Sequence, residues 1–171
     1  MKSIHADTDT GYSLNPLRHA RRLLRGDRGI STTEFALALP VLLLLVFGLI
    51  ETGYLFFASA SMDKAAQAGA RVAVTGAGAD DGTRVELIKN KIMTTLDAFS
   101  GKGTISVEVK SFPQSAPGNI TTGAGGPCDI VEVNVEYVYA SLTPIVGPIF
   151  GPSITVHGTD RMVNEPWRVC E

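Results

Sequence analysis

Apolar and polar positions divide the chain into regimes of different period. From Phe35 to Phe57 the residues read FALALPVLLLLVFGLIETGYLFF, with Glu51 the one charged side chain. At a helical rise of ~1.5 Å per residue this run approaches the ~30 Å hydrocarbon core of a bilayer. Val41 to Phe47 is apolar all round, a pattern suited to lipid or a tight helical bundle rather than to a surface helix. The pattern predicts a membrane-spanning helix over residues 30–57. Its continuation over 58–75 lacks proline and is rich in alanine, so the helix is expected to run on. Ala65, Gly69 and Ala73 fall four apart and form a small-residue face. That face is expected to receive the protein's own sheet, the alternative being close packing of another helix.

Residues 76–171 change character. Gly76 to Gly82, GAGADDG, reads as a linker, and its glycines lack the spacing and preceding strand of a dinucleotide fingerprint. Thr83 to Phe99 sets Val85, Ile88, Ile92, Leu96 and Phe99 on one side of an amphipathic helix. Three strands follow. Thr104 to Phe112 alternates Ile105, Val107 and Val109 with Ser106, Glu108 and Lys110. Asp129 to Leu142 puts Val131, Val133, Val135, Tyr137 and Tyr139 on one face and Glu132, Asn134 and Glu136 on the other. Ser153 to Val163 is the third and less regular. Phe112 to Pro127, rich in Pro, Gly, Ser and Thr, is expected to be a surface loop. The connection TPIVGPIFGP lets the last two strands turn back as an antiparallel pair. The predicted class is α+β: a long N-terminal transmembrane helix continuing into a domain with a short helix and a small antiparallel sheet. This topology would bring Cys128, before the second strand, beside Cys170, after the third. A bond there is worth typically ~2–4 kcal/mol; two free thiols are the alternative.

Charge orients the chain. Arg18, Arg21, Arg22, Arg25 and Arg28 precede the apolar run, opposed locally by Asp27, whereas acidic residues outnumber basic ones after Met62. By the positive-inside rule the N-terminus is cytoplasmic and the body is exported. Export makes a Cys128–Cys170 disulfide chemically reasonable. The net charge of −2 gives no electrostatic case for nucleic acid. No CxxC or HxxxH spacing suggests a metal, and no cofactor is expected. Nor does a catalytic constellation assemble. His5 and His19 lie in the leader, His157 reads as a solvated strand histidine, and the Gly123–Gly126 run precedes a strand rather than a helix. Pro40 removes a backbone donor and is expected to kink the helix near its cytoplasmic side. Glu51 falls ~24 Å along the axis from Phe35, near the outer boundary. It is expected either to snorkel beside Tyr54 or to contact another protein.

Gly29 followed by Ile30-Ser31-Thr32-Thr33-Glu34 resembles the processing site of type IV prepilins, with glutamate five positions after glycine. The continuation EFALALPVLLLLVFGLIETG, with the later Ala68-Gly69-Ala70-Arg71, more specifically resembles the TadE-like family of pseudopilins of tight-adherence (Flp pilus) systems. The resemblance covers about a quarter of the chain, Arg28 to Arg71. It implies a pilin-like architecture and cleavage between Gly29 and Ile30 by a membrane-embedded prepilin peptidase. Residues 1–29 would be removed as a basic leader, leaving 76–171 as a periplasmic domain. It also implies a structural rather than enzymatic role, with lipid, other pseudopilins and pilus assembly proteins as partners. Glu34, costly to bury unpaired, would meet the new α-amino group of a neighbouring subunit. The alternative is an uncleaved, signal-anchored periplasmic domain that binds a partner.

Overall fold

The computed structural model describes residues 28–143 and 147–170. The basic leader through residue 27, residues 144–146 of the TPIVGPIFGP connection and residue 171 lie outside the described residues. The chain divides into two compact units, Met1–Leu43 and Leu44–Glu171. The described part of the first is the beginning of helix α1 (Arg28–Val74), with Pro40 inside the helix. Here Phe35 and Leu37 are exposed, without protein cover, as befits a surface that meets hydrocarbon. Among the described residues, one helix is long and apolar enough to cross a membrane.

The second unit holds the rest of α1 and everything after it. Next come helix α2 (Arg84–Thr95), a 3-10 turn (Asp97–Phe99), and strands β1 (Gly103–Phe112), β2 (Thr121–Thr122) and β3 (Ile130–Ala140). A short helix α3 (Gly147–Phe150) and strand β4 (Ser153–Val163) complete it. The sheet order is β2-β1-β3-β4, with every neighbouring pair antiparallel. Its period-two alternation turns Val131, Val133, Val135, Tyr137 and Tyr139 of the central strand inward. They share one core with Ala58, Met62, Ala65, Ala66, Ala70 and Ala73 of α1, and with Ile88, Ile92, Leu96 and Phe99. The fold is therefore α+β, two helices covering one face of an antiparallel sheet.

Small side chains set the spacing of these layers. Gly69 faces Ile88 and Ile92 of α2, and a Cβ on it would come within 2.7 Å of Ile92. On the sheet side Gly158 of β4 lies directly against the backbone of Met62 and Asp63, with no room for a Cβ. The small-residue face of α1 is thus occupied by the protein's own helix α2 and its own sheet.

Several boundaries differ from the periodicity reading. Helix α2 stops at Thr95, where the hydroxyls of Thr94 and Thr95 bond back to the carbonyls of Asn90 and Lys91. Such back-bonding competes with regular helix. The 3-10 turn that follows buries Phe99 against Tyr137 and Tyr54. Part of the expected surface loop is strand β2. The buried hydroxyl of Ser111 needs a partner, and it finds the Thr121 hydroxyl at 2.8 Å. Strand β3 begins at Ile130 rather than Asp129, whose carboxyl accepts bonds from the Gly126 and Gln114 amides. On the outer face Glu132 is covered by its neighbours, pairing with Arg161, which also lies over Phe112. His157 is exposed on β4, opposite Glu136.

The contact at Gly158 can be tested directly. Gly158→Ala is expected to destabilise the protein by roughly 1–3 kcal/mol, the range for overpacking a dense interior. Gly118→Ala, whose Cβ meets nothing within 4 Å, is expected to be neutral. Urea unfolding of both variants in detergent measures the difference, and equal midpoints would contradict the close approach of α1 to β4.

Candidate functional site

The residues singled out by sequence lie along α1. Gly29 and Ile30 fall in its first turn, and Glu34, one turn further on, is exposed. Pro40 lies inside α1. Ser31, Thr32 and Thr33, between Ile30 and Glu34, are all engaged in interactions.

Glu51 has the most specific surroundings. A carboxyl within an apolar helix is costly unless its oxygens are satisfied. Glu51 is only 5% exposed. Its Oε2 accepts from the Thr143 amide and the Thr143 hydroxyl, both at 3.2 Å, and from the Ser141 hydroxyl at 3.3 Å. Its Oε1 accepts from the Leu142 amide at 3.4 Å. Within the chain, the partners of Glu51 come from the segment after β3. This docking ends β3 at Ala140, because the next three residues turn their donors toward the helix. The Ser-Leu-Thr run within an apolar stretch was the available signal. One turn beyond Glu51, the Tyr54 hydroxyl meets that of Tyr137 at 3.0 Å, and the Tyr54 ring packs edge-on to Tyr139 at 4.9 Å. Burial first, then the Glu51 charge, raises the Tyr139 hydroxyl above its ordinary range.

The other end of the helix–sheet contact is tied by a residue that periodicity does not reveal. Arg84, at the start of α2, is 6% exposed. Its Nε donates to the Ala73 carbonyl at 3.1 Å and its Nη1 to the Gly125 carbonyl at 2.6 Å, while Nη2 also reaches Ala73. The guanidinium lies over the Trp167 ring at 4.4 Å. It therefore joins the Gly76 amide in capping the Ala73 carbonyl at the C-terminal end of α1, and ties the Gly125 loop and the Trp167 segment to it. Burial lowers its pKa, and the Asp129 charge opposes that shift. Gly76 supplies the left-handed turn after α1 at φ +69°, and the Trp167 ring fills the space a side chain would need. The Glu165 amide donates to Val74 at 2.9 Å. Asn164 donates from its side chain to Ala124 and Gly126, both at 2.8 Å. Beside these contacts Cys128 and Cys170 are placed as a disulfide with Cα atoms 5.7 Å apart.

Among the described residues, no group of three or more His, Cys, Asp or Glu is placed to hold a metal ion. What the arrangement can do chemically is mechanical: it fixes one face of a long apolar helix to a sheet at both ends. Glu51→Ala is expected to speed amide exchange at Leu142 and Thr143 by roughly tenfold or more, matching a lost hydrogen-bond set of ~1–3 kcal/mol. Exchange at Val133 and Val135 should stay slow. Hydrogen-exchange mass spectrometry makes the comparison, and unchanged rates at Leu142 and Thr143 would contradict the docking.

No curated protein and no solved structure matches the chain. A family model does. It opens at Gly29, takes in Glu34, Pro40 and Glu51, and ends at Arg71 on the half of α1 that packs on the sheet: residues 29–71 match the family described as TadE-like protein.

Proposed function

We propose that the chain is a minor pseudopilin that takes part in assembling a tight-adherence (Flp) type IV pilus, by priming, capping or joining it. The observation that carries this reading is the family match itself, which starts at the predicted cleavage junction rather than within the exported domain. In this reading prepilin peptidase cuts between Gly29 and Ile30. The mature chain then crosses the bacterial inner membrane once, with its new N-terminus on the cytoplasmic side and residues 76–171 in the periplasm. The arginine cluster before the apolar run supports that orientation. A glycine before the scissile bond suits a protease that must approach the backbone closely, since it presents no side chain.

Glu34 would be the fifth residue of the mature chain. Its exposure on α1 leaves it open to a neighbouring subunit. A carboxylate at the edge of hydrocarbon is stabilised by an opposite charge, and the α-amino group released by cleavage supplies one. Such a pair would set subunit register. The exported domain then serves to carry and orient the helix, and the work is structural.

Deleting the gene should abolish or sharply reduce surface pili. Glu34→Ala should leave cleavage intact and reduce piliation severalfold, scored by electron microscopy and by pilin in the sheared fraction. Wild-type piliation in the Glu34→Ala strain would refute the register role, and wild-type piliation in the deletion strain would refute the assembly role.

A further inference from the structure

The apolar surface of α1 does not stop at Glu51. Within the second unit, Leu49 and Ile50 precede it and Phe56 and Phe57 follow, all four at least half exposed, with Phe56 at 71%. Phe57 lies ~9 Å beyond Glu51 at ~1.5 Å per residue. The segment docked on Glu51 therefore sits level with a band of helix that has apolar, uncovered side chains on both sides.

That segment is itself built for such a level. From Tyr137 to Thr159 the chain contains no Asp, Glu, Lys or Arg. Its polar groups point inward: the amides of Leu142 and Thr143 and the hydroxyls of Ser141 and Thr143 are donated to Glu51. Its apolar groups point outward: the Leu142 side chain is 53% exposed, and Pro148 and Pro152 are exposed. Loop backbone is excluded from hydrocarbon unless its hydrogen bonds are met within the protein. Glu51 meets two of them here, those of the Leu142 and Thr143 amides. An open cleft lined by Gly48, Thr52, Leu55, Ser153 and Ile154 separates helix from hairpin beside this contact.

We infer that the described residues of the β3–β4 connection form a second membrane contact, inserting Leu142, Pro148 and Pro152 into the interface of the outer leaflet beside the spanning helix. The inference rests on the membrane-spanning reading of α1. Lipid is the occupant the surface fits, because the turn offers no charge for a protein partner to recognise and is continuous with the exposed apolar band of the helix. Glu51 then has a role that a plain anchor would not need, satisfying the Leu142 and Thr143 amides where the chain dips beside it. The domain would meet the bilayer at two points, restricting its rotation about α1.

The test places a nitroxide on single cysteines at Leu142, Leu49 and Ile120 in the full chain, with the native cysteines paired, reconstituted in phosphatidylethanolamine and phosphatidylglycerol liposomes. Ile120 is an exposed side chain at the other end of the sheet, next to the residues paired with Ser111 and Lys110. Power saturation compares oxygen with a water-soluble nickel chelate. The expected ratio of oxygen to nickel access at Leu142 approaches that at Leu49 and exceeds that at Ile120 severalfold. A lipid value at Leu49 with an aqueous value at Leu142 would overturn the inference and leave the span standing. Aqueous values at both would overturn both. A Leu142 label shielded from both reagents would mark a protein partner and overturn the lipid contact.

Discussion

The domain depends on how closely α1 can lie on its own sheet. Between Leu44 and Phe57 the helix carries large apolar side chains that are mostly exposed, whereas from Ala58 to Ala73 its inward positions are Ala, Met and Gly. Large exposed side chains suit lipid, which solvates them; small ones suit a sheet, since they let two backbones approach. Gly158 is where this approach is tightest, with β4 against the helix backbone at Met62 and Asp63. A side chain there would separate α1 from the sheet and open the aromatic and valine layer beneath it. One helix is thus matched to two environments by a change in side-chain volume along its length.

Close packing of smooth, small-residue surfaces does not by itself prevent sliding, and the two ends of the contact supply what fixes it. Toward the apolar band, Glu51 holds the residues after β3. At the far end, Arg84 holds the carbonyl of Ala73 and the Gly125 loop, and Trp167 closes over Gly76. These polar contacts are buried, so each is expensive to break without replacement. In a pilus-assembly role, force or register imposed on the helix would be passed to the domain through both ends.

Much of the scaffold was legible in the sequence. Period two in the valines and tyrosines of β3 identified both its course and its buried face, because a central strand of a one-face-covered sheet shows clean alternation. The alanine spacing of α1 carried the helix to Val74 and indicated its buried side. Less legible were features that depend on contacts distant along the chain. The partners of Glu51, Leu142 and Thr143, lie some ninety residues away along the chain. No local period distinguishes Arg84, buried at the start of α2, from a solvated arginine. Strand β2 is two residues long and owes its place to the hydroxyl of Ser111. Family resemblance reached the residues that physics alone leaves ambiguous: Gly29 and Glu34 are unremarkable as chemistry and informative as a spaced pair ahead of an apolar helix.

The proposed role turns on that pair, since without cleavage the helix is only an anchor and Glu34 has no new amino group to meet. Intact-mass and N-terminal peptide mass spectrometry of the membrane-bound chain, from cells with an active prepilin peptidase, tests it most directly. The account predicts a mature chain that begins at Ile30. A chain retaining Met1 and its basic leader in those cells would contradict it.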